Sequence, residues 1–120
     1  MLDGAVEEPI VLVDARNVIR SRWPNLGEDW FLERTRAWAE RKGVRAQVVF
    51  DGRAPAWEDD ERMTVEGTGR AIADDRIAAE AERLAGEGLR VWVVTSDRGL
   101  RARVAPYVER TIGGGTFAGE

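Results

Sequence analysis

A chain of 120 residues can enclose one hydrophobic core but not two, and its 43% hydrophobic and 33% charged residues are the composition of a globular protein. It has no cysteine, which excludes disulfides, thiolate nucleophiles and zinc–sulfur sites, and no histidine, which excludes Ser-His-Asp triads and imidazole bases. Those two absences leave carboxylates, hydroxyls, arginines, Lys42 and Tyr107 to do chemistry, and carboxylates suit magnesium or manganese; the net charge of −4 argues mildly against nucleic-acid binding by counterion release alone.

Met1 to Pro9 carries Asp3, Glu7 and Glu8 and no basic residue, unlike a signal peptide. No apolar run nears the roughly 20 residues needed to span a bilayer, so the expected location is the cytoplasm, without membrane association. Pro9 to Val13 is a continuous apolar run ending at Asp14, the pattern of a strand buried on both faces. A connecting segment with Ile19, Trp23, Pro24 and Asn25 follows. The spacing then predicts a helix from about Glu28 to Lys42, with acids at its positive end, bases at its negative end, and Gly43 as its stop. Val44 to Phe50 is a second apolar strand that ends in Asp51.

Gly52 to Trp57 is turn-rich, Glu58 to Glu61 is acidic, and Met63 to Val65 is a candidate edge strand. Asp74 to about Glu87 carries Ile77, Ala81 and Leu84 on one helical face. Val91 to Thr95 is a third strong strand, followed directly by Ser96-Asp97. A short helix over Arg98 to Val104 and a last strand over Val108 to Ile112 complete the pattern, and Gly113 to Glu120 reads as a loose tail beyond an ordered core of about 9–112. Strands alternating with helices predict one α/β domain with a mainly parallel sheet and right-handed crossovers.

Three apolar strands thus deliver Asp14, Asp51 and Asp97 to one edge of the sheet, the carboxyl edge where open parallel sheets bind ligands. Asp74 and Asp75 begin a helix whose start belongs at the same edge. An aspartate ahead of a helix is often only a cap, worth about 1 kcal/mol, and this reading suits Asp74 and Asp97 taken singly. It suits Asp14 and Asp51 less, since no helical pattern follows them at once; each can still be a turn aspartate. Clustered carboxylates repel until a divalent cation relieves them, and such a cation can polarise a phosphodiester and activate water without a histidine.

Val13 to Ile19 (Val-Asp-Ala-Arg-Asn-Val-Ile), Val49 to Gly52, Ala73 to Ile77 and Val94 to Arg98 occur in the order of, and together resemble, the motifs of NYN-domain proteins, the YacP-like branch of the PIN-domain nucleases. The resemblance spans Ile10 to about Gly115. It implies a three-layer α/β/α, Rossmann-like fold with four or five strands in an order of about 3-2-1-4-5, and cleavage of single-stranded RNA with one or two Mg2+ or Mn2+ ions. By the same resemblance Asp14, Asp74 and Asp97 hold the metal, Asn17 orients the cluster, and Ser96 holds an aspartate or touches phosphate. Asp51 and Asp75 are further candidate ligands. Ala15 and Arg16 stand where many relatives carry glycine and an aromatic residue. No additional RNA-binding module is evident, so a ribosome or another partner is a candidate guide to the target; the residues leave monomer and homodimer open.

Arginines 16, 20 and 22 follow the first strand, and 98, 101 and 103 follow the third. Arg16, Arg53, Arg98 and Arg101 are the candidate phosphate-backbone contacts, set against a plain solvated surface. Trp57 and Arg53 could stack on unpaired bases, although a tryptophan packing its loop onto the core is commoner. Trp30, Trp38 and Trp92 read as core. Gly113-Gly114-Gly115 does not read as a phosphate loop, since no helix is expected after it. Two rivals remain: a non-catalytic RNA- or protein-binding module of the same fold, and a receiver-like phosphoacceptor domain, expected to share the sheet topology and strand-end aspartates, which would need an acidic pair at the end of the first strand and a late strand-end lysine that the chain lacks.

Overall fold

A computed structural model of the protein describes residues 8–119, so most of the acidic N-terminal stretch lies outside the described residues. In chain order the elements are β1 (Ile10–Asp14), α1 (Ala15–Arg20), α2 (Glu28–Lys42), β2 (Arg45–Phe50), β3 (Met63–Gly67), α3 (Ala73–Gly86), β4 (Val91–Val94), α4 (Arg98–Val104), β5 (Arg110–Ile112) and α5 (Gly114–Ala118). The five strands form an all-parallel sheet in the order β3-β2-β1-β4-β5.

Alternation along the strands builds two cores. Val11, Val13, Val48, Phe50 and Val94 pack toward α1, α2 and α5, whereas Leu12, Val49, Val91 and Val93 pack toward α3 and α4. A parallel sheet covered on both faces needs such uninterrupted apolar runs, and this is why the three central strands were legible. Two edge-to-face pairs brace the first layer: Phe31 on Phe50 at 6.3 Å between centroids, and Trp38 on Phe117 at 4.8 Å. Gly43 ends α2 in the left-handed conformation at φ 67°.

The β2–β3 crossover has no helix. Its loop folds over the α2 side, with Ala54 and Trp57 against the core, while the Asp59 and Asp60 carboxylates accept backbone N–H groups of Val65, Arg62 and Met63. Gly67 approaches that loop so closely that a Cβ would be driven into the Gly52 carbonyl.

Four readings of the sequence need correction. Asp14 is followed at once by α1, a two-turn helix too short to show an apolar period. Residues 114–118 are helical and not a loose tail, because Phe117 has a place in the core beside Trp38. A helix therefore does follow Gly113. Trp30 is 49% exposed, stacked under Arg34 on the outer face of α2; Trp92, by contrast, is half-buried against the core, with Arg110 over its ring and its indole N–H donated to Glu109.

Candidate active site

The strand order reverses between β1 and β4. From β1 the chain leaves to the α1 and α2 side; from β4 it leaves to the α4 side. Diverging connections open a crevice at the carboxyl ends of these two strands, the usual place for a ligand in an open α/β sheet.

Asp14 lies at the bottom of that crevice and is 5% exposed. Thr95, fully buried at the end of β4, donates its hydroxyl to Asp14 Oδ2 at 2.9 Å and accepts the Asp97 N–H at 3.1 Å. Burial pushes the Asp14 carboxyl up to about 6; the Thr95 hydroxyl opposes the rise, and the negative charges of Asp74 and Asp51 add to it. Asp74, in the first turn of α3, is also pushed up, by burial first and then by Asp97 and Asp51. These four carboxylates therefore share one electrostatic neighbourhood.

They are held in different ways. Asp51 Oδ1 accepts the Ala73 N–H at 2.6 Å, so the end of β2 caps α3 through space while the cap position itself, Ile72, has no side-chain bond. Asp97 is a true helix cap, accepting the Leu100 N–H at 2.8 Å. Asp74 lies inside its helix and, among the described residues, makes no hydrogen bond or ion pair, so capping does not explain it. Asp75 faces α4 and pairs with Arg103 at 2.8 Å.

The other crevice wall is a chain of polar contacts. Asn17 Oδ1 accepts the Ser96 N–H at 2.9 Å, and Ser96 Oγ accepts the Gly114 N–H at 2.7 Å. A Cβ on Gly114 would be driven into Asn17 Oδ1 and would displace it from the Ser96 N–H. Arg101 donates to the Thr95 carbonyl at 3.0 Å, and Arg16 pairs with Glu28 at 2.9 Å while lying over Phe50. Both guanidiniums are thus engaged within the fold. Arg53 and Arg98 are exposed and without an ion pair among the described residues.

Sequence reasoning missed Thr95 and Gly114. A hydroxyl directly before Ser-Asp, and glycines directly after a strand, were the available signals. Among the described residues no three acidic groups are already gathered into a metal cage. The donor chemistry nonetheless fits a hard divalent cation: oxygen donors only, a deep carboxyl whose pKa is raised by burial first and then by like charges, and Asp74 with no hydrogen bond or ion pair among the described residues.

The fold is that of PIN-like nucleases. A crystal structure of Rae1 (YacP) from Bacillus subtilis superposes with a TM-score of 0.72 at 24% identity, over 91% of this chain and 72% of that one. The T5 5′-exonuclease superposes at 0.61 with 16% identity, over 88% of this chain and 50% of that one. A T5 protein co-crystallised with metal ions gives 0.62 with 13% identity, over 87% and 54%. No family model and no curated protein sequence matches the chain. The resemblance read from four short motifs thus agrees with the fold. The sheet also separates it from a receiver-like domain, which places β1 between β2 and β3; here β1 lies between β2 and β4.

Proposed function

We propose that the protein is a metal-dependent endoribonuclease acting on single-stranded RNA. The reading is carried by Asp14: an almost fully buried carboxylate at the switch point, bonded to Thr95 and with its pKa raised by burial first and then by the charges of Asp74 and Asp51, is a costly arrangement that a cation would relieve. Nuclease neighbours of the same fold, one of them crystallised with metal ions, support it.

Asp14, Asp74 and Asp97 would hold Mg2+ or Mn2+, one ion or two, with Asp51 and Asp75 as outer candidates. A bound ion supplies charge to the phosphate and lowers the pKa of water. The chain's own residues do the rest. Thr95 fixes the rotamer of Asp14, Asn17 and Ser96 hold the β4 end against α1 and α5, and Asp97 orients α4. Arg53 and Arg98 are the available cations for a phosphate backbone, while Arg16 and Arg101 brace the walls. Cytoplasmic location and a ribosome or other targeting partner belong to the same proposal.

Mutating an outer-shell partner of a metal site typically costs about 10–100-fold, so loss of a direct ligand should cost at least that. Asp14→Asn and Asp97→Asn should each lower cleavage of an unstructured RNA about a hundredfold or more with the far-UV spectrum intact, and excess EDTA should stop the wild type. Full activity in either variant, or in EDTA, would sink the assignment. The separation of the carboxylates favours one other reading, a non-catalytic RNA-binding module. RNA binding with no Mg2+- or Mn2+-dependent cleavage would select it.

A further inference from the structure

Most arginines of this acidic protein are occupied by carboxylates, carbonyls or rings. Among the described residues, six arginines have no ion pair, side-chain hydrogen bond or ring contact: Arg41, at the C-terminal end of α2, and Arg20, Arg22, Arg53, Arg70 and Arg98, which lie on connections leaving the carboxyl ends of the strands or, for Arg20, in the last turn of α1. Most of the free guanidiniums are thus around the rim of the carboxylate crevice.

The loop from Ser21 to Gly27 belongs to this rim. It departs from α1, which begins beside Asp14, and it enters α2 at Glu28, which pairs with Arg16 in the first turn of α1. The Leu26 N–H closes the loop back onto the Ile19 carbonyl at 3.1 Å. At its apex Trp23 is 92% exposed, far more than the 49% of Trp30, which at least carries Arg34 over its ring. A cleft of about 360 Å3 lined by Asn17, Arg20, Ser21, Ser96 and Gly115 joins this loop to the polar wall of the site.

A bare indole held beside unpaired guanidiniums matches an unpaired nucleotide, whose base offers a π-face and whose phosphate offers charge. We infer that this loop is a nucleotide subsite: Trp23 stacks on an unpaired base next to the cut position while Arg20, which lines the cleft together with Ser96, takes the adjoining phosphate. The occupant is a single-stranded RNA strand, because a base inside a duplex has no free face to offer. This rests on the nuclease reading for its place beside the cut, but binding can be measured separately from cleavage.

The test is anisotropy of a fluorescein-labelled 12-nucleotide unstructured RNA in EDTA, on the full chain. Stacking on one aromatic is worth about 5- to 150-fold in affinity. Trp23→Ala should weaken binding at least fivefold, Trp23→Phe should restore most of it, and Arg20→Gln should weaken binding and flatten its salt dependence. The Kd for a blunt duplex of the same sequence should not respond to Trp23→Ala. In cleavage assays the Trp23→Ala loss should fall on KM and not on kcat. Unchanged single-strand binding in Trp23→Ala, or equal losses for duplex and single strand, would overturn the subsite. So would a change in sedimentation with unchanged RNA affinity, which would make Trp23 a protein contact. Cleavage that survives both substitutions at wild-type KM rejects the subsite and keeps the nuclease; Trp23-dependent binding without cleavage under Mg2+ or Mn2+ does the reverse.

Discussion

Burial raises the Asp14 carboxyl from the ordinary 3.8 to about 6, so the folded protein keeps that proton longer than the unfolded chain does. The contribution of this group to stability therefore falls as pH rises from about 4 to about 6 and is level above that. A shift of this size corresponds to about 3 kcal/mol. Asp14→Asn should accordingly stabilise the metal-free protein at pH 7 and flatten the acid side of its pH–stability profile, even as it abolishes cleavage; urea melts from pH 4 to 7 would show it, and a destabilised variant with an unchanged profile would refute the cause. Thr95→Val keeps the shape and removes the donor. It should cost about 1–3 kcal/mol in denaturant melts and raise the Asp14 carboxyl further. Asp14 was legible in the sequence because an apolar strand ends on it, and Asp74 because acids open an amphipathic helix. Thr95 was not, because its partner lies 81 residues away and a threonine at a strand end looks like ordinary β-propensity.

Elements differ in how much of their reason for existing is local. α2 carries its own C-cap and end charges and was readable from about Glu28 to the left-handed Gly43. α3 was readable from its period, although its N-terminal hydrogen bond comes from Asp51 on another strand, which no local pattern announces. α5 was unreadable: glycine-rich and five residues long, it is helical because Phe117 packs on Trp38. Phe117→Ala should therefore cost about 3–5 kcal/mol, measured by urea denaturation, whereas a dangling tail would tolerate it freely. Inside α3, Glu80 is buried between Arg83 and Arg76, whose hydrogen bonds and charges lower its carboxyl to about 2 against the opposing effect of burial. A group depressed in this way adds stability above its unfolded value near 4.5 and loses it as pH falls toward 2, opposite in sign to Asp14.

At the carboxyl edge of the sheet, carboxylates lie at the floor of the crevice and five unpaired guanidiniums lie around its mouth. A ligand that binds only the folded state stabilises it by about 2.7 kcal/mol at a hundredfold excess over Kd. Mn2+ should therefore raise the wild-type Tm in a thermal melt, and Asp14→Asn should lose most of the rise; equal shifts in both proteins would place the ion elsewhere. The topology was predictable because a doubly wound order follows from alternating strands and helices, and the three-layer packing bears this out. The clasp around Ser96 was not, since it joins β4, α1 and α5 from three distant parts of the chain. That clasp has a practical consequence. A protease that nicked the backbone between β5 and Gly114 would leave every acid in place and yet let the Asn17 and Ser96 wall sag, disarming the crevice from behind.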